Sequence, residues 1–487
     1  MAETPTEMKK DHILIFPFMA QGHTIPLLHL AAELSSRNLL VTVITTPANA
    51  ASLRRQLPSS VHLSLLPFPS SPPLPSGIES TDLLPSLDLY PLFLSATTLL
   101  RPHFHQLLLS LHQSNSLPLC VISDFFLGWT LDVCRLFSVP RLVFHGMSAY
   151  SMFLCKSLWL HQPHSFTSTS DELFHVPGAP PSLLLTRHQV PDTILNSGDA
   201  NDPVTRFLAE LGATDINSWG VIVNSFSAVE REYTKLFETF YRHGARAWLV
   251  GPLSLLSPKT PADEGDCLRW LEGKKRNSVV YVSFGTQTHL KAEQMEEVAQ
   301  GMRDSECEYL WVVRDASWTP PEWIGERGKI VRWAPQRAVL QHEAVGGFVS
   351  HCGWNSVLES MVAGVPVLTW PMIAEQSLNA KMIVDELEAG LILRKGAGGD
   401  GMVGREEIRE GVRELMVGEK GRRVRERMEE LGRMAREAVG DGGTSETSLT
   451  ELIEELRSCR NGKGDASEEK LTMDAAVFDF QDGIKIS

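Results

Sequence analysis

WAPQRAVLQHEAVGGFVSHCGWNSVLESMVAGVPVLTWPMIAEQ, residues Trp333 to Gln376, is the stretch that decides the reading. Its apolar run Val345–Val349 has the composition of a buried strand, and a polar turn, His351-Cys352-Gly353-Trp354-Asn355-Ser356, follows directly. A helix starting there carries Glu359 one turn in. The first N–H groups of a helix have no partner inside it and point along the positive end of its dipole, so such a turn receives an anion. His351 is placed to add a charge-assisted contact to a phosphate. The indole of Trp333, beside a proline turn, offers a face to a nucleobase, and a nearby carboxylate suits ribose hydroxyls. The stretch reads as a nucleotide-diphosphate site built without a Walker loop.

Outward from it, short apolar runs alternate with helical ones. Val279–Ser283, Glu308–Val313, Lys329–Val331, Val345–Ser350, Val365–Thr369 and Leu391–Leu393 form one series of predicted strands. An earlier series comprises His12–Phe18, Leu39–Thr45, Val61–Leu66, Leu119–Ser123, Arg141–Phe144, Gly220–Asn224 and Ala247–Val250. Strands alternating with helices imply parallel sheets covered on both faces. The fold class is therefore α/β, with two doubly wound halves facing across a cleft. The first domain is expected over residues 1–251, the proline-containing linker over 252–265 and the second domain over 266–442. Residues 161–203 are Ser-, Pro- and His-rich and read as long loops with short helices, part of a lid over a second substrate. Arg405–Leu456 reads as charged-faced helices, and residues 460–487 as a disordered tail.

The 487 residues and a 43% hydrophobic share are enough for two cores. A formal net charge of −14 argues against nucleic acid as a partner. Seven cysteines without a C-x-x-C pair fit a reducing compartment. The run Ile13–Ala20 is broken by Pro17 and makes a poor signal peptide, and no stretch has the apolar length of a membrane span. A cytoplasmic protein is expected, by default a monomer.

His23 lies in the turn Met19-Ala20-Gln21-Gly22-His23-Thr24, after the first strand and before a helix predicted at Ile25–Ser36. The carboxyl edge of such a sheet is where ligands bind. Neutral imidazole is suited to remove a hydroxyl proton near pH 7. A histidine in a turn is more commonly a satisfied polar group. Asp124, at the end of another buried strand, shifts the balance, because an aspartate behind a histidine orients the ring and stabilises the imidazolium.

The whole box from WAPQ through HCGWNS and GVP to the final EQ closely resembles the donor-binding signature of plant UDP-dependent glycosyltransferases of family 1. The likeness extends to the N-terminal half and to about Ser458, and is strongest to the branch acting on small phenolic and other secondary metabolites. It implies a GT-B fold, with the last helix, about 443–458, crossing back onto the first domain. It also implies an inverting transfer from a UDP-sugar to a small hydrophobic acceptor such as a flavonoid, with His23 and Asp124 as the catalytic pair and no metal or other cofactor. On the donor side it implies that His351, Asn355, Ser356, Ser283 and Thr286 hold the phosphates, Trp333 stacks on uracil, Ala334 offers its backbone, and Gln336 and Glu359 hold ribose. Trp354, Glu375 and Gln376 then face the sugar, and the pairing of Gln376 with Trp354 favours glucose. UDP-galactose or UDP-rhamnose as donor, transfer to carbon, and a binder without turnover stay open. Where many relatives place a threonine against the donor sugar, this chain reads His145-Gly146-Met147-Ser148, with His145 or Ser148 as substitutes. Acceptor contacts are expected, by position, from Phe18, Gln21, Phe125, Phe126, His145, Tyr150 and residues near Pro85–Leu89. Trp370 and Thr286 stay open between core and ligand roles.

Three further patterns are set aside. Gly396-Ala397-Gly398-Gly399-Asp400-Gly401 fits G-x-G-x-x-G, but no apolar helix starts inside it. His342-Glu343 lacks the second histidine of H-E-x-x-H, and His103 and His105 have no third ligand nearby. A D-x-D motif is absent from the sequence.

Overall fold

The computed structural model describes residues 10–71, 74–197, 201–256, 265–288, 290–315, 317–393 and 402–462. Most of the linker and the glycine-rich loop 396–401 lie outside these residues. Among the described residues, seven parallel strands form the first sheet, in the order β3-β2-β1-β4-β5-β8-β9. They are β1 (His12–Phe16), β2 (Leu40–Thr45), β3 (His62–Leu65), β4 (Cys120–Asp124), β5 (Arg141–His145), β8 (Gly220–Val223) and β9 (Ala247–Leu249). Between β5 and β8 the chain makes a small antiparallel hairpin, β6 (Phe174–His175) with β7 (Leu184–Leu185), in the segment expected to be loops. The second sheet runs β12-β11-β10-β13-β14-β15, again parallel. Its strands are β10 (Val279–Ser283), β11 (Glu308–Val312), β12 (Gly328–Val331), β13 (Val345–Ser350), β14 (Val367–Thr369) and β15 (Gly390–Ile392). The two-domain, doubly wound α/β architecture read from the sequence is the one the chain adopts.

Each sheet reverses its strand order once, between β1 and β4 and between β10 and β13. At such a switch point the loops leaving two neighbouring strands diverge to opposite faces and open a crevice. His23 and Asp124 follow the first pair of strands. The Gly285 and His351 loops follow the second pair, where Ser283 pairs with Ser350.

Strand ends shift by one or two residues from the sequence reading, and two helix ends shift further. The first helix begins at Gln21, not Ile25, so His23 stands in its first turn. The last helix runs Thr444–Gly462, so residues 460–462 of the expected tail are helical. That helix packs against β9 and buries Leu449, Leu452, Ile453 and Leu456 in the core of the first domain, in one cluster with Trp248.

Candidate active site

Asp124 ends the fully buried strand β4 and has no exposure, so its carboxylate is fixed by the sheet. Oδ1 accepts the Phe126 N–H at 2.9 Å, while Oδ2 lies 2.8 Å from His23 Nδ1. An ionised carboxylate only accepts, so Nδ1 carries the hydrogen and Nε2 is left as the basic nitrogen. Burial pulls the pKa of His23 down, but the charge and hydrogen bond of Asp124 and the charge of Glu375 outweigh it, and the net direction is up. The loop after β5 comes up to the ring at Gly146, where a Cβ would stand 3.4 Å from His23 Nδ1, in van der Waals contact.

Beneath Asp124 is a residue the sequence reading missed. Arg141 is 1% exposed and donates to Ser123 Oγ, Ser218 Oγ and the Asp124 carbonyl. A cation inside the apolar run RLVFH was its sequence signal.

Aromatic rings wall the base. Phe18 meets His23 edge-on at 5.6 Å and Phe126 lies 5.3 Å from it, with Phe125 behind Phe126 at 5.5 Å. Tyr90, one residue past the expected Pro85–Leu89 segment, meets both Phe18 and Phe126 edge-on. Its hydroxyl is pushed up by burial and by the charges of Asp124 and Glu375, which brings it electrostatically into the site. Gln21 bonds Asp82. Two expected acceptor residues face elsewhere. His145 has no exposure, and its Nε2 bonds Asp215, which also holds Lys156 and Tyr241. Tyr150 is equally buried, packed edge-on against Tyr233 at 4.6 Å. Ser148 is buried at the start of helix Ala149–His161, where its hydroxyl accepts the Ser151 N–H. Neither His145 nor Ser148 is therefore free to replace the threonine of relatives.

Across the cleft, β13 turns at Cys352 (φ 64°) into the helix Trp354–Ala363. Glycine at 353 leaves the first helical N–H groups without a side-chain cap. His351 fits between Gly285 and Gly353, where a Cβ on either would fall 2.6 Å from its Nε2. Burial, only partly offset by the Ser283 carbonyl, lowers this ring to about 4. At neutral pH His351 is thus an uncharged imidazole rather than the cation expected of it. Ser283 is buried at the end of β10, and Thr286 is half-buried in the loop beyond. Gln336 Nε2 donates at 2.9 Å to both Ser356 Oγ and Glu359 Oε2. Trp333, beside buried Ala334, is 60% exposed, an unusual place for an indole. Trp370 is instead a core residue, edge-on to Phe284.

The sugar-side trio divides. Gln376 Oε1 accepts the Met372 and Ile373 N–H groups. Glu375, raised by burial against a bond from Asn379, is close enough to act on His23 through its charge. Trp354, in contrast, is 1% exposed, and its indole N–H goes to the Asn224 carbonyl of the first domain. The indole N–H is committed to that domain contact rather than offered to a sugar. Asn355 also reaches across, donating to the Gly22 carbonyl at 2.5 Å.

Residues 264–396 match the family described as UDP-glucoronosyl and UDP-glucosyl transferase. The chain is 36% identical to a UDP-glucose flavonoid 3-O-glucosyltransferase of Fragaria ananassa, over 95% of this chain and 99% of that protein. It is 37% identical to a scopoletin glucosyltransferase of Nicotiana tabacum, over 92% and 98%. Among solved structures it superposes on Glycyrrhiza uralensis UGT73P12, complexed with glycyrrhetinic acid 3-O-monoglucuronide, with TM-score 0.84 and 30% identity, covering 93% of this chain and 97% of that one. Phytolacca americana UGT2, complexed with UDP-2fluoro-glucose and pterostilbene, gives TM-score 0.75 at 30% identity, over 92% and 100%. With such likeness along nearly its whole length, a donor-type anion turn facing a histidine–aspartate pair has one consistent interpretation: the chain belongs to the plant family 1 UDP-glycosyltransferases and is a UDP-glycosyltransferase.

Proposed function

We propose that the enzyme moves glucose from UDP-glucose onto a hydroxyl of a small phenolic, with inversion at the anomeric carbon. The observation that carries this reading is the His23–Asp124 pair at 2.8 Å, on the helix whose Gly22 carbonyl the donor-side Asn355 touches. His23 Nε2 takes the proton of the acceptor hydroxyl, whose oxygen forms the new bond to the anomeric carbon. The bond from that carbon to the β-phosphate oxygen breaks, its electron pair stays on oxygen, and UDP leaves. Attack from the side opposite UDP inverts the centre. Asp124 holds the ring and stabilises the imidazolium. In this reading the charge growing on UDP is met by the free N–H groups of helix Trp354–Ala363, with His351, Asn355, Ser356, Ser283 and Thr286. Trp333 stacks on uracil above Ala334, Gln336 and Glu359 hold ribose, and Glu375 and Gln376 meet the sugar. Phe18, Phe126 and Tyr90 supply the apolar wall that suits a phenolic ring. Relatives that act on flavonoid and scopoletin support that acceptor class.

The test is UDP release on a phenolic panel with UDP-glucose, UDP-galactose, UDP-rhamnose and UDP-glucuronate, with mass analysis of the products. A hexose gain with UDP-glucose, unaffected by a chelator, is expected, and His23→Ala should lose roughly 10²–10⁴-fold on un-ionised hydroxyls. Preference for another donor, or undiminished turnover by that variant, overturns the corresponding part.

A further inference from the structure

The first turn of helix Gln21–Ser36 contains an irregularity. In an α-helix the carbonyl of residue 22 accepts from the N–H of residue 26. Residue 26 is a proline, buried inside the helix and without an N–H. The Gly22 carbonyl, immediately before His23, is therefore left free, and Asn355 Nδ2 takes it at 2.5 Å. A Cβ on Gly22 would have that nitrogen as its neighbour, at 3.8 Å.

The bond belongs to a chain with one direction. A carbonyl only accepts, so Asn355 must turn its nitrogen to Gly22 and its oxygen away. That oxygen lies 3.4 Å from Asn224 Nδ2. Asn224 is likewise fixed, because its Oδ1 accepts the Leu253 N–H at 2.8 Å, and its backbone carbonyl takes the Trp354 indole N–H at 2.8 Å. Neither amide can flip without setting like against like. Asn224, at the end of β8, thus grips the first two residues of the donor helix, and Asn355 grips the turn that carries the base.

We propose that Asn224 and Pro26 are positioning residues for transfer. Asn224 orients the Asn355 amide, Pro26 keeps the Gly22 carbonyl available to it, and together they set His23 against the donor. The proposal rests on the reading of His23 as base. Because the chain contains no ionisable member, its effect is geometric, on reach and angle. Misplacing a reacting group by about 1 Å costs on the order of 10²-fold in rate.

The test uses Asn224→Asp, which keeps the shape but sets oxygen against the Asn355 oxygen, and Pro26→Ala, which supplies the missing N–H to Gly22. Single-turnover transfer is measured on an aliphatic alcohol and on a nitrophenol already ionised at the assay pH, with UDP affinity by calorimetry and Tm by scanning. Both variants are expected to lose about 10- to 100-fold on the alcohol and less than about threefold on the nitrophenol, with UDP affinity within about threefold of the parent. Only misplacement of a base separates the two acceptors in this way. Equal losses on both acceptors, or none on either, overturn the proposal. His23→Ala run alongside distinguishes the two claims. If it transfers to the alcohol undiminished, the base assignment falls. If it is inactive there while both positioning variants keep parental rates, the positioning claim alone falls. Pro26→Ala adds a backbone hydrogen bond, so it provides a folded comparison should Asn224→Asp lose stability.

Discussion

Asp124 acts on His23 in two ways that a pH profile separates. It fixes the tautomer, and it raises the pH at which the ring gives up its proton. Burial alone would lower that value, and Asp124 together with Glu375 reverses the sign. A base must be neutral to work, so the rate on an un-ionised hydroxyl should rise with pH through a midpoint above 6.5, the ordinary value of the ring. Asp124→Asn removes the main raising charge, so the midpoint should move to lower pH while the plateau falls roughly 10²–10⁴-fold. A plateau loss without a downward shift would assign Asp124 to orientation alone. The same sign governs stability. The contribution of the pair is fully present below 6.5 and is lost as pH rises through the folded-state value. His23 and Asp124 were legible in sequence because both follow buried strands at a sheet edge. His145 and Tyr150 were not. Every residue of β5 is buried, so no alternation marks which face His145 takes. Tyr150 sits on a helix packed on several sides at once, where period does not give direction.

At the scale of elements, strands were the most legible, because long β-branched runs bounded by turn residues leave little choice. The start of the first helix was not legible. The apolar pattern of the helix starts at Ile25, whereas the helix itself begins at Gln21, in a polar turn that carries no period, and Asn355 takes the carbonyl that Pro26 leaves free. Two-residue strands such as β6 and β7 are too short to carry a period at all. The helix Ala149–His161 reveals another contact between distant segments. Glu230, on helix Ser227–Glu238, accepts the Tyr150 N–H at 2.8 Å, a carboxylate set on a helix N-terminus. It is 1% exposed, and its other oxygen is without a hydrogen-bond partner. Burial wins over the Tyr150 N–H and the other polar groups around the carboxyl, and the group is pushed up to about 7. The folded protein then holds a proton that the unfolded chain loses near 4.5, so stability is present below 4.5 and declines as pH rises to about 7. The loss is on the order of 3 kcal/mol. Glu230→Gln should flatten that decline in urea unfolding at pH 5 and pH 8. An unchanged decline would move its origin elsewhere.

At the scale of the molecule, the domains meet through side chains rather than through the linker alone. Asn379 is fully buried, accepts from Ser151 at 2.7 Å across the interface and donates to the Cys352 carbonyl. Tyr233 reaches Glu386 at 2.9 Å. The helix Thr444–Gly462 then returns to the first domain. Its ion pairs, Arg246 with Glu451 and Glu455, are about half exposed and worth about 0–1 kcal/mol each. Its four buried aliphatic residues contribute roughly 1.5–3 kcal/mol apiece, so the apolar face does the anchoring.

Another surface contact of that helix has a different consequence. Asp11, just ahead of β1, bonds Arg457 at 2.8 Å and Arg460 at 2.5 Å on the last helix. Among the described residues the start of the first strand and the end of the last helix therefore lie side by side, and where the chain is broken is not dictated by the fold. A circular permutant that starts at Gly265, runs to Gly462, crosses a short Gly-Ser join to Lys10 and finishes at Leu256 should assemble the same cleft in reversed order. Transfer activity within about threefold of the parent, and a Tm within a few degrees, are expected of it. A permutant that folds as two uncoupled halves would mean that the covalent crossing, not the returning helix, keeps the cleft together.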